Sequence, residues 1–215
     1  MVCNGLERGI GMTTEELAKE IAKGLIETGI EGGYDSVSMS TAGDYPSIGV
    51  SQWEGARGDN LLRSIPNGDY FADRTYISIV GSGELQDLKD LLESEEGQAA
   101  QLDLLTEDCK TYVETLQEIE TLDDSRCMIY AGMWCPTSHY VVKKFLQNRE
   151  HRVNLRSMLA LRNLFRDEYA TAAGVPFSCY AGYANRAERT YQYVAQLDLT
   201  TPYGVLWYGK YEYGR

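Results

Sequence analysis

Apolar residues at Leu102, Leu105, Cys109, Val113, Leu116 and Ile119 recur every three or four positions, which predicts a long amphipathic helix with an acidic outer face. A helix of that length needs other elements to cover its apolar stripe, and the chain supplies them as further helices. Leu85, Leu88, Leu91 and Leu92 predict a short helix just before the long one, and helices are expected over 125–134, 139–148, 153–172 and 184–197. Gly174, Pro176 and Gly182 are expected to break the chain between the last two. Near the start, Thr13-Thr14-Glu15-Glu16 has the form of a capping box, and Leu17, Ile21 and Leu25 then repeat every four residues. A first helix is therefore expected from Thr13 to Thr28, and Glu31 falls just past its C-terminal end.

Between these helical stretches the periodicity stops. From Gly32 to Gly58 the chain is rich in Gly, Ser, Asp and Pro, which predicts a turn-rich lobe with short strands near Ser36–Met39 and Ser47–Gln52. The expected class is therefore α+β and predominantly α-helical. At 215 residues with 43% apolar composition, one domain with one core is expected: a leader over 1–12, the domain over 13–202, and an aromatic tail over 203–215.

Charge and cysteine content narrow the function. Twenty basic against thirty-two acidic residues give a net charge of −12, which disfavours a phosphate backbone and argues against a nucleic-acid partner. The five cysteines, Cys3, Cys109, Cys127, Cys135 and Cys179, are odd in number and show no CxxC spacing, so neither a disulfide framework nor a metal site is signalled. No run approaches the roughly 18 apolar residues of a membrane span, and no basic-then-apolar signal peptide opens the chain. Synthesis in a cytoplasm without membrane insertion is expected.

The informative segments are Glu31-Gly-Gly-Tyr34-Asp-Ser36-Val37 and Ser47-Ile48-Gly49-Val-Ser-Gln52-Trp53-Glu54-Gly55-Ala-Arg57, followed by Leu61-Leu62. Here the chain resembles the glycosidase-like domain of bacteriophage endolysins and tail-associated lysins, whose pattern runs E-G-x-Y-x-S-V and then S-I-G-x-x-Q-W-H-G-x-R. The likeness extends weakly to Ile129-Tyr130-Ala131 and to Tyr183-Ala-Asn185-Arg186. It implies a lysozyme-like fold, similar in plan to helical chitosanases, with a helical lobe and a small β-lobe flanking a substrate cleft. The implied activity is hydrolysis of glycosidic bonds in a peptidoglycan strand, without a cofactor or metal. The implied setting is a bacterial host cytoplasm, with release to the wall by a holin or carriage on a virion, and a further wall-binding module as a possible companion.

Glycoside hydrolysis needs a carboxyl group that is still protonated near neutral pH, and burial or a helix C-terminus raises a Glu toward that range. Glu31 meets this requirement by position and residue type. The second carboxylate is open: the family pattern has Asp where this chain has Thr41 and His where it has Glu54, leaving Asp44 and Glu54 as candidates with Asp35 behind them. For substrate binding the resemblance implies Gln52 on sugar hydroxyl or acetamido groups, Trp53 stacked on a ring and Arg57 on a carboxylate, with Tyr34 and Ser47 adding polar contacts or holding the turn. Plainer roles stand beside these: Trp53 in the core, Arg57 paired with Glu54 or Asp59, and Asp44 as a turn former. A different class of function is a non-catalytic wall-binding or phage structural module with a degenerate site. A third is a thiol hydrolase using Cys135 and His139, four residues apart, although no third group accompanies them.

Overall fold

A computed structural model describes residues 11–29 and 32–199. Within them the fold is predominantly helical, with one two-stranded antiparallel sheet. Helix α1 spans Thr14–Thr28. The capping box forms as the sequence predicts: the Glu16 amide donates to Thr13 Oγ1 at 3.2 Å and the Thr13 amide donates to Glu16 Oε2 at 2.7 Å. Leu17, Ile21 and Leu25 are buried, and the helix stops at Gly29, whose left-handed φ of 56° lets its amide reach back to the Ile26 carbonyl at 3.0 Å.

The chain then forms a hairpin from β1 (Val37–Met39) and β2 (Pro46–Ile48), in register Val37 to Ile48, Ser38 to Ser47 and Met39 to Pro46. The second strand is shorter than the expected Ser47–Gln52. Gly49 adopts a φ of 71° and turns the chain, so that Ile48 pairs with Trp53 across four intervening residues.

Helices α2 (Gly55–Ser64), α3 (Tyr76–Gly81) and α4 (Leu85–Glu93) follow, with a 3-10 turn at Gly68–Tyr70. The long helix α5 (Glu95–Leu116) begins where Ser94 accepts the Gly97 amide at 3.0 Å, and it carries Glu95 and Glu96 in its first turn, where acidic groups suit the positive helix end. Ile119, expected within it, lies beyond its end and is still buried. Its C-terminal part fastens to the start of α1: Gln117, just past its last turn, donates to Thr14 Oγ1 at 3.2 Å, and Lys110 pairs with Glu15 at 2.6 Å.

The remaining helices complete the body: α6 (Ser125–Gly132), α7 (His139–Gln147), α8 (Met158–Leu164), a π turn at Phe165–Tyr169 continuing into α9 (Ala170–Ala172), and α10 (Tyr180–Gln196). The expected helix over 153–172 starts later, because Ser157 accepts the Ala160 amide and sets the first turn. Helix α10 starts earlier than expected and includes Gly182, so the break rests on Gly174, with φ of 69°, and Pro176.

The core of the body is aromatic. The π turn brings Phe165 and Tyr169 onto Trp134, with ring centroids 4.6 and 5.0 Å apart, and Phe145 completes the cluster at 5.1 Å from Phe165. Helix α10 closes over it and reaches the end of α1, where the Arg189 guanidinium donates to the Thr28 carbonyl. None of the described helices is long and apolar enough to cross a membrane. The expected catalytic Glu31, nearly all of the expected leader and the tail over 203–215 lie outside the described residues.

Candidate functional site

The two informative segments meet at the hairpin. The Gly49 amide donates to the Ser36 carbonyl at 2.8 Å, and a Cβ built on Gly32 would stand 3.2 Å from the Gly49 carbonyl oxygen. Their meeting is fixed from behind by Gln101 of α5, a fully buried amide. Its Oε1 accepts the Val50 amide at 3.0 Å, while its Nε2 donates to the Leu92 carbonyl at 2.8 Å and the Tyr34 carbonyl at 3.3 Å. Gly49 is required here twice over: its φ is left-handed, and a Cβ would lie 2.2 Å from Gln101 Oε1.

Gln52 sits at a φ of 52°, uncommon for a residue with a side chain, and its amide is spent holding that turn. Nε2 donates to the Gly49 carbonyl at 2.9 Å and Oε1 accepts the Ser38 hydroxyl at 3.1 Å. Ser47 is buried and donates its hydroxyl to the Gln52 carbonyl at 3.2 Å, so it holds the turn. Tyr34 is half-buried against the core, and desolvation pushes its hydroxyl pKa up.

For Trp53 and Arg57 the structure gives the plainer roles, with a different partner from those expected. Trp53 is only 5% exposed, so its ring belongs to the core and is not presented to a sugar; its indole N–H donates to Asp108 Oδ2 at 3.0 Å. Arg57 donates to Asp108 Oδ1, not to Glu54 or Asp59, and its guanidinium is thereby engaged by a carboxylate of the chain itself. Asp44 is exposed, and its Oδ1 accepts the Ile77 amide at 3.2 Å in the first turn of α3, as a capping group does. Glu54 stands at the N-cap position of α2 without a side-chain capping bond.

An open groove of about 380 Å³ lies against the outer side of this hairpin, lined by Asp35, Ser36, Val37, Ser38, Gln52 and Lys89. Among the described residues, Asp35 is the expected acid on its wall. A larger hollow of about 920 Å³ runs between α1, α2 and α5, lined by residues such as Lys19, Leu61 and Glu107 and by none of the expected site residues that are described. The smaller groove is the better candidate because it carries the residues of both informative segments.

No family model, curated protein or solved structure matches this chain.

Two residues that sequence reasoning missed, Gln101 and Asp108, lie seven positions apart on one helix and hold the two halves of the motif. Nothing local marks them: each looks like one more polar residue on an acidic helix, and their partners in the motif stand 51 or more positions away. The Cys135 and His139 pairing is overturned. Cys135 is fully buried, its thiol donates to the Ala131 carbonyl, and burial pushes its pKa well up, disfavouring the thiolate a nucleophile needs. His139 instead packs its ring against Tyr112 and Tyr140. Among the described residues no three His, Cys, Asp or Glu side chains converge as a metal would require.

Proposed function

We propose that this chain is a glycoside hydrolase acting on the glycan strand of peptidoglycan, with a lysozyme-like arrangement and Glu31 as proton donor. The observation that carries the reading is the order of parts: α1 closes at left-handed Gly29, Glu31 follows two residues later in the chain, and a β-hairpin with an open polar groove comes next. A carboxyl group held against a helix C-terminus is favoured in its protonated form by the helix dipole, and Glu31 has the chain position for that role. Asp35, which lines the groove and makes no hydrogen bond among the described residues, is a stronger second carboxylate than Asp44, whose oxygen is engaged at α3. Glu54 remains in reserve at the start of α2.

On this reading the domain is a phage lysin made in the host cytoplasm and delivered to the wall by a holin or on a virion. A glycan-binding module without turnover is the second reading, favoured by the commitment of Arg57 and Trp53 to Asp108. Release of reducing sugar from purified walls, compared between the wild-type protein and Glu31→Gln, separates the two. Release by the wild type and not by a folded Glu31→Gln supports the hydrolase; equal release by both removes Glu31 from the reaction, and wall binding with no release by either favours the module.

A further inference from the structure

We propose that Tyr140, backed by His139, is a second sugar-stacking position beyond the hairpin, so that the chain grips several rings of one glycan strand; this rests on the glycan reading above. Gln101, Asp108 and Tyr112 follow one another on α5 at spacings of seven and four residues, which puts them on one face of that helix. Each carries a different part of the molecule. Gln101 holds the hairpin, Asp108 holds Trp53 and Arg57, and the Tyr112 ring packs on His139 with centroids 5.7 Å apart. The hairpin, the Arg57 guanidinium and the start of α7 are thus laid in a row along α5. At the helical rise per residue the row is about 16 Å long from Gln101 to Tyr112, a length that a few linked sugar rings span.

The supports of this row are buried and its outer members are not. Tyr112 is 8% exposed, whereas Tyr140 is 67% exposed although its ring centroid lies 4.2 Å from that of His139. The imidazole braces the Tyr140 ring, which reduces the freedom lost when a ligand covers it, and leaves most of the ring to solvent. A pyranose has a face of C–H groups and a rim of hydroxyls, so it is matched by a braced aromatic face beside a fixed hydrogen-bonding group. Arg57 supplies the second part. Its side chain is 56% exposed, Asp108 fixes it in place, and a guanidinium has more N–H donors than one carboxylate takes. Both charges of that pair act on the Tyr112 hydroxyl, which sets the ion pair beside the aromatic residues. A half-exposed ion pair next to one open ring disfavours a protein partner, since the centre of a protein contact is depleted in charge.

The test is an NMR titration of the full chain with soluble peptidoglycan glycan fragments of two and of six sugar rings, for the wild type, Tyr140→Ala and Tyr140→Phe. Tyr140 lies outside the core, so both variants are expected to keep the fold. The six-ring fragment is expected to shift the hairpin amides together with the signals of His139 and Tyr140 in the wild type, and to bind Tyr140→Ala about tenfold more weakly. Tyr140→Phe, which keeps the ring, is expected to bind like the wild type, and the two-ring fragment to bind wild type and Tyr140→Ala alike at the hairpin. Unchanged affinity of Tyr140→Ala for the six-ring fragment, or an equal loss in Tyr140→Phe, overturns the stacking role while shifts at the hairpin keep the glycan site in place. If the six-ring fragment shifts neither region of the wild type, the glycan reading itself fails and the role of Tyr140 falls with it.

Discussion

In the helical body, Trp134, Phe165, Tyr169 and Phe145 meet ring against ring with almost no exposure, whereas the hairpin is fastened to that body by a few directional bonds to α5, from Val50 and Tyr34 to Gln101 and from Trp53 and Arg57 to Asp108. The contrast follows from composition. The segment over 32–54 is rich in Gly, Ser and Asp and contributes few large side chains to the core, Ile48, Val50 and Trp53 among them, so hydrogen bonds share with packing in setting its position; the helices each present an apolar stripe and are set mainly by packing. Packing tolerates small adjustments of angle, but a buried amide with three partners admits one arrangement. On the proposed function, a site that holds a sugar in register is better built on the second kind of support.

The comparison can be broken at either end. The largest effect is expected in the body: Phe165→Ala leaves a cavity among four rings and should cost about 3–5 kcal/mol, read as a lower urea midpoint with the hairpin unfolding in the same transition. A loss under about 1 kcal/mol would mean that the aromatic cluster is not the main source of stability. Next comes Gln101→Leu, which keeps the volume roughly constant but strands the buried Val50 amide. It should cost about 2 kcal/mol and speed exchange at the Val50 amide more than at Ile129 or Val142 in the body. Uniform acceleration would show that the hairpin has no separate fastening.

The smallest effect is a pH dependence beside the hairpin, where Asp44 ties it to α3 and α3 leads into Glu84. The Ser82 and Tyr70 hydroxyls and the Arg74 guanidinium all donate to Glu84, and they hold its carboxyl down at about 2 from an ordinary value of 4.5. A carboxyl depressed in the fold contributes stability that is present above its unfolded pKa and is lost as pH falls through the folded one. The stability difference between wild type and Glu84→Gln should therefore be full at pH 6 and shrink between pH 4.5 and 2. Urea midpoints at pH 6, 4 and 2.5 check this; a difference that does not change with pH would assign the role of Glu84 to packing.

What was legible in the sequence was whatever is decided within one or two turns of chain. The capping box at Thr13, the stripe of α5 and the short helix at Leu85 all form where expected, because each is encoded by neighbours three or four positions apart. Helix α2 was hidden: Gly55 and Gly58 are poor helix formers, and its apolar face amounts to Leu61 and Leu62. Gly182 looked like a breaker and is absorbed within α10, whose Ala187, Thr190 and Val194 are buried.

For the candidate site, local sequence reveals which residues stand together along the chain, the Glu-Gly-Gly-Tyr and Ser-Ile-Gly segments, but not the turn between Ile48 and Trp53, where a strand over Ser47–Gln52 is expected and Gly49 instead turns the chain. What those side chains are free to do is set by the fold. Arg57 and Trp53 are committed to Asp108 and Asp44 to α3, while Asp35 and Lys89 line one groove. The physical reason is distance along the chain: an arginine or a tryptophan carries the same chemistry in any sequence, and whether that chemistry is available depends on a partner more than fifty residues away.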